Sequence, residues 1–188
     1  MVSAPICKQA SAVLQKRPRL RFSPEVFMPL SMLREFLDRN RIQYLVISHS
    51  VAYTAQGIAA LTHIPGKELA KTVMVMVDGR LAMAVVPASF RVDLYRLKKY
   101  LGADSVELAT EHEFRGRFPD CETGSMPPFG NLYGMDVFVD QALAEDEEIA
   151  FNAGSHRELV RMRFADFRGL VNPAIIPLAA GKAHTHAA

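Results

Sequence analysis

Residues 71–86 read KTVMVMVDGRLAMAVV. Two apolar runs, Lys71 to Val77 and Leu81 to Val86, flank Asp78-Gly79, a dipeptide that accepts positive φ and so favours a two-residue hairpin turn. Neither run alternates polar with apolar residues, so the hairpin is expected at the centre of a sheet, covered on both faces. Working outward, Gln43 to Ser48 (QYLVIS) reads as a further strand, as do Met135 to Val139, Ile149 to Asn152 and Leu159 to Arg163. Between them lie helical periodicities. The first runs from Ser31 through Met32, Leu33, Phe36 and Leu37 to a stop at Asn40. A second is capped by Thr54, turns Ile58, Ala59 and Leu61 inward and ends before Pro65-Gly66. A third, Asp93 to Leu101, puts Leu94, Leu97, Tyr100 and Leu101 opposite Arg96, Lys98 and Lys99. Thr110 to Glu113 has the pattern of a capping box, and Ala165 to Leu170 is expected to close the chain as a helix. Two of the connections are hairpins, which disfavours a purely parallel sheet. The fold class is therefore α+β, with a mixed, largely antiparallel central sheet flanked by helices.

The chain of 188 residues is the length of one domain with short extensions. Residues 28–173 carry all the patterns above. Residues 1–27 hold Lys8, Lys16, Arg17, Arg19 and Arg21 against Glu25 alone. They are expected to form a mobile basic arm, a targeting segment, or sequence ahead of a start at Met28. Residues 174–188 read as a flexible tail. Beyond the arm, 17 basic residues face 19 acidic ones, so whole-domain charge does not attract a polyanion. A nucleic acid would have to meet the arm or a local patch, for which Arg96, Lys98, Lys99, Arg115, Arg117, Arg161 and Arg163 are candidates, solvated surface charge being the alternative. No apolar run is long enough to span a membrane, and the two cysteines, Cys7 and Cys121, form no framework. A reducing, cytoplasmic compartment is expected.

Motifs for standard enzymes are missing. His49, His63, His112 and His156 lack zinc-ligand spacing, so no metal and no cofactor are expected. Gly124-Ser125 and Gly154-Ser155 lack the frame of a serine nucleophile elbow, and Cys121 lies between two acids that blunt a thiolate. Two features stand out. Lys71 opens a strand that otherwise reads as buried, either as an end residue reaching solvent or as a cation facing a cleft. The stretch from Phe118 to Gly134, FPDCETGSMPPFGNLYG, is long for an internal connection. Within it, Gly124 to Pro128 is either a plain turn or a rigid rim with backbone N–H groups turned to a ligand.

The blocks IPGKELAKTVMV, MAVVPASFRVDL, CETGSMPPFG, VFVD, FNAGSHRELV and RFADFRGL follow one another between Tyr44 and Leu170. In this order they resemble the YbaK/prolyl-tRNA synthetase-associated domain family of aminoacyl-tRNA editing domains. The resemblance implies a free-standing aminoacyl-tRNA deacylase that hydrolyses the ester of a mischarged small amino acid, with mischarged aminoacyl-tRNA as its partner. It places the signature lysine on Lys71 and the Gly-x-x-x-Pro loop on Gly124, Ser125, Met126 and Pro128, with Phe129 beside it. It places the late aspartate on Asp140 and the small-residue turn on Gly154 and Ser155, with His156 next to it. Tyr133-Gly134 and the FPDC block depart from the pattern and leave the edited amino acid unassigned. A catalytically silent binding module of the same fold, or a hydrolase of other esters, would share these residues.

Such a hydrolysis needs a placed water and a stabilised oxyanion but no protein nucleophile if the neighbouring ribose hydroxyl assists. The N–H groups of residues 124 to 126 are expected to take the carbonyl oxygen, and Lys71 the terminal phosphate or the oxyanion. Met74, Met126 and Phe129 are expected to wall the amino-acid pocket.

Overall fold

The computed structural model describes residues 31–182, apart from His63 and Asp120. The basic arm and the last six residues therefore lie outside the described residues. The chain forms α1 (Ser31–Arg39), β1 (Tyr44–Ser48), α2 (Ala55–Thr62), β2 (Leu69–Val77), β3 (Arg80–Pro87), β4 (Phe90–Val92), α3 (Leu94–Leu101), β5 (Val106–Leu108) and α4 (Glu111–Phe114). It continues through β6 (Asp136–Asp140), α5 (Gln141–Ala144), β7 (Glu148–Asn152), β8 (Glu158–Arg163), α6 (Phe164–Val171), β9 (Ala174–Ile176) and β10 (Ala179–Lys182).

The hairpin is central. Asp78 and Gly79 take φ of 48° and 76°, the left-handed pair that a two-residue turn demands. β2 and β3 pair antiparallel from Ala70↔Pro87 to Val77↔Arg80. The main sheet runs β1-β8-β7-β2-β3-β6-β9, with β5 added on β2. Four of its pairings are antiparallel and three parallel.

Alternation along the central strands divides the core. Met74, Met83, Val85, Val137 and Phe151 point to one face, where α1, α6 and the 118–135 segment cover them. Val75, Ala82, Ala84, Val86 and Phe138 point to the other, under Leu97 of α3 and the C-terminal Ile176 and Leu178. On that second face, further along, Leu69, Ala150 and Leu159 meet Ile58 of α2. Burying two sides of a strand pair at roughly 25 cal/mol per Å² is what an all-apolar hairpin requires.

Local signals hold at the caps. Thr54 Oγ1 accepts from the Gly57 N–H at 3.1 Å, Asp93 accepts from the Arg96 N–H at 2.9 Å, and Glu113 accepts from the Thr110 N–H at 2.7 Å. Three expectations need correction. Leu61 and Tyr100 are exposed, because α2 and α3 each bury a narrower stripe than their apolar residues would allow. Residues 174–182, expected to form part of a flexible tail, are two strands: β9 lies on β6 and β10 on β4, and Ile176 and Leu178 are buried. Runs of three or four residues are too short to show a period, and their partners are distant in sequence.

Candidate functional site

Lys71 is the third residue of β2 and pairs with Val86. β2 also runs parallel to β7, with Ala70 opposite Phe151, so Lys71 lies level with Asn152. Likewise Val85 pairs with Val139, which brings Asp140 level with Val86. Asn152, Lys71, Val86 and Asp140 thus form a row across one face of the sheet. Lys71 is half-buried, and its Nζ donates to the Ala88 carbonyl at 3.3 Å. No carboxylate pairs with it among the described residues. Burial, and secondly the positive charge of Arg91, lower the lysine's pKa from its ordinary value.

Beyond the end of β7 the chain turns through Ala153–Arg157, and this turn is sewn to the long loop. The Glu122 N–H donates to the Gly154 carbonyl at 2.9 Å, and the Gly154 N–H to the Ser125 carbonyl at 2.9 Å. The Glu122 carboxylate accepts from the His156 N–H at 2.7 Å. His156 Nε2 lies 3.0 Å from the Thr123 carbonyl, an acceptor, so Nε2 carries a proton. His156 Nδ1 is buried and has no hydrogen-bond partner among the described residues. Gly124 sits at φ +88°, and a Cβ there would lie 3.6 Å from His156 Cε1. The structure therefore brings Gly124, Ser125 and Met126 together with Gly154, Ser155 and His156, from segments some thirty residues apart in sequence.

The loop's donors are partly committed. The Ser125 N–H donates to the Glu122 carbonyl at 3.0 Å, and its hydroxyl donates to the same carbonyl at 2.7 Å. The Gly124 N–H faces only the Met126 sulfur at 3.3 Å, a weak acceptor. Ser125 is fully buried and acts as the pin of the turn.

Several expected site residues serve the fold instead. Phe129 has no exposed surface and stacks at 5.5–6.0 Å with Phe36, Phe151 and Phe167. Met74 is buried on the same side, away from Lys71. Neither can wall an open pocket. Pro128 is buried and carries the loop down to Phe129. Met126 does line a cavity of about 300 Å³, together with Phe114, Phe118, Cys121 and Thr123.

Asp140 shares the row with Lys71, yet its carboxylate accepts three backbone N–H groups. Ala142 donates at 3.0 Å, and Leu178 and Ala179 donate at 2.6 Å each. It caps α5 and clasps the C-terminal strands, with 2% exposure. The position was legible, but the partner was not, because residues 178 and 179 read as tail.

The basic residues do not converge. α3, with Arg96, Lys98 and Lys99, packs on one face of the sheet, and the Arg115–Arg117 turn follows Phe114 on the other. Arg96 is paired with Asp93, and Arg161 with Glu148. Solvated surface charge is the reading these placements favour.

Sequence reasoning missed Glu122, Asn152, Ala88 and Tyr53. Tyr53 alone carried a signal, as an isolated aromatic in the polar stretch ahead of a helix cap. Among the described residues no helix is long and apolar enough to cross a membrane. Nor, among them, do three or more His, Cys, Asp or Glu side chains gather as a metal-ion site would need.

Comparison with known proteins gives one answer at several levels. The chain is 27% identical over 134 residues to a proline–tRNA ligase of Leuconostoc citreum (strain KM20), covering 69% of this chain and 23% of that one. It is 28% identical over 121 residues to that of Bacillus cytotoxicus, covering 59% and 21%. The chain thus spans less than a quarter of the length of these ligases. It is 24% identical over 145 residues to the multifunctional Ser/Thr-tRNA deacylase ProXp-y of Escherichia coli (strain K12), covering 74% of this chain and 86% of that protein. A crystal structure of a candidate trans-editing enzyme for prolyl-tRNA synthetase shares the fold. Its TM-score is 0.71 at 19% identity, over 85% of this chain and 99% of that one. Residues 49–170, which include Lys71, the Gly124 loop and the Gly154–His156 turn, match the aminoacyl-tRNA editing domain as a family, and the chain belongs to it.

Proposed function

We propose that this protein is an aminoacyl-tRNA deacylase that removes a mischarged small amino acid from tRNA by hydrolysing the ester to the terminal ribose. The observation that carries the reading is Lys71. It is a half-buried cation with no acidic partner among the described residues, held beside the turn to which the Gly124 loop is bonded. A buried charge left without a counterion costs stability, and an anion supplied by the substrate offsets that cost.

Water attacks the ester carbonyl, a C–O bond forms to the water oxygen, and negative charge gathers on the former carbonyl oxygen. Lys71 stabilises that charge, or the adjacent phosphate, as a point charge. The Gly124 N–H is free to exchange its weak thioether acceptor for the oxyanion. The bond to the ribose oxygen then breaks and the proton released by water ends on that oxygen, with the neighbouring ribose hydroxyl as relay.

A panel of tRNAs mischarged with alanine, serine and threonine tests the reading. At least one should be deacylated, and Lys71→Ala should slow that reaction by on the order of 10²-fold. Unchanged turnover in the variant would remove Lys71 from the chemistry. No turnover on any member of the panel would favour a module that only holds aminoacyl-tRNA.

A further inference from the structure

Tyr53 is 78% exposed, the highest value among the large apolar and aromatic side chains that stand out from the surface. It is nevertheless not on a loose segment. The His49 N–H donates to the Arg157 carbonyl at 2.8 Å and the Ala52 N–H donates to the His156 carbonyl at 3.2 Å. Immediately after it, Thr54 caps α2. Tyr53 is therefore gripped on both sides, and its ring rests 4.9 Å from the His156 ring at a tilt of 57°. His156 is in turn fixed to Glu122 and Thr123. A large aromatic face is thus presented to water, at the rim of the candidate site, on a pre-set scaffold. Val51 beside it is also exposed.

We propose that Tyr53 is the stacking platform for the terminal adenine base of the tRNA. The assignment rests on the deacylase reading of the site. The ester must lie inward, at Lys71 and the Gly124 loop, and the base on the same ribose then points outward to the rim. Any base presents a π-face, and an aromatic side chain held in place loses little entropy on receiving it. The chain's charge distribution calls for such a contact. The basic residues outside the arm are dispersed over both faces of the sheet, so the site's grip on the acceptor end must come from contacts close to the ester.

The experiment uses the full chain. Deacylation of the best substrate in the mischarged panel is measured for wild type, Tyr53→Phe and Tyr53→Leu. Binding of uncharged tRNA that carries 2-aminopurine in place of its terminal adenine is followed by fluorescence. Tyr53→Leu should raise KM roughly 5- to 150-fold, the range that about 1–3 kcal/mol of base stacking represents, with kcat within about twofold. Tyr53→Phe should behave as wild type. The 2-aminopurine fluorescence should be quenched by wild type and the Phe variant and remain bright with the Leu variant. An unchanged KM in Tyr53→Leu, or equal quenching by all three proteins, would overturn the assignment. If wild type quenches but deacylates nothing, the stacking stands and the deacylase reading fails. Neither quenching nor turnover would end both.

Discussion

Lys71 and Asp140 stand on one row of one sheet face, separated only by Val86, and the sequence resemblance pointed to both. Their surroundings differ in one respect. Asp140 accepts three backbone N–H groups from two parts of the chain, so both oxygens have partners. Lys71 has three donors and uses one of them, on a carbonyl at 3.3 Å. A buried polar group whose partners are all intramolecular holds the fold, and one whose partners are mostly missing is set to meet something else. The same contrast separates Ser125, whose hydroxyl and N–H both close its own turn, from Gly124, whose N–H meets only a sulfur.

The contrast breaks if the two ends of the row respond alike to mutation. Lys71→Ala should lower kcat by about 10²- to 10³-fold, corresponding to roughly 2.7–4 kcal/mol of transition-state stabilisation, with a melting temperature at or above that of wild type. Asp140→Ala should do the reverse. It strands three N–H donors in a buried place and should destabilise the protein by on the order of 3 kcal/mol, while the folded fraction keeps its turnover. Single-turnover deacylation and thermal melts on both variants decide the matter. A Lys71→Ala protein that melts as early as Asp140→Ala would make the lysine structural.

Gly124 sharpens the comparison inside the loop. A Cβ at 3.6 Å from His156 Cε1 is an ordinary contact, so space does not forbid a side chain, but φ of +88° strains any residue other than glycine. Gly124→Val should therefore cost about 1–2 kcal/mol of stability, a few degrees in melting temperature. It should cost at least tenfold in rate, because the branched side chain stands where a substrate carbonyl must approach the backbone. Equal losses, with rate falling only as far as the folded fraction, would make Gly124 a turn residue alone.

How much of this was legible follows from the range of each signal. The hairpin, the caps at Thr54 and Thr110, and the strands on either side of Gly154 are local patterns, and each was readable within a few residues. The two halves of the site were readable separately, as a long loop and a small-residue turn. Their joining was not, because it rests on backbone bonds such as Glu122 to Gly154 and on the Glu122 carboxylate meeting the His156 N–H, which no periodicity encodes. Phe129 shows the opposite failure. Its place after the Pro128 of the loop pattern suggested a pocket wall, whereas three aromatic rings, Phe36, Phe151 and Phe167, hold it in the core. Asp140 was found by pattern, but the Leu178 and Ala179 N–H groups it accepts could not be foreseen, because β9 and β10 are too short to show a period.

The smallest expected effect concerns protonation. Burial first, and the Arg91 charge second, lower the Lys71 pKa in the folded protein. The unfolded chain then holds this proton to higher pH than the folded one, so Lys71 contributes a penalty that is present below its folded pKa and fades as pH rises toward the unfolded value near 10.4. Replacing it by the neutral Lys71→Met should stabilise the protein at neutral pH, with the advantage shrinking on the alkaline side. In catalysis the sign is opposite. The proposed mechanism uses the cation, so activity should fall as pH rises through the folded pKa, earlier than for a solvent-exposed lysine. Arg91→Ala removes a like charge and should move that alkaline limb to higher pH without lowering the plateau. A limb that stays in place in Arg91→Ala, or one that persists unchanged in Lys71→Met, would assign the titration to another group.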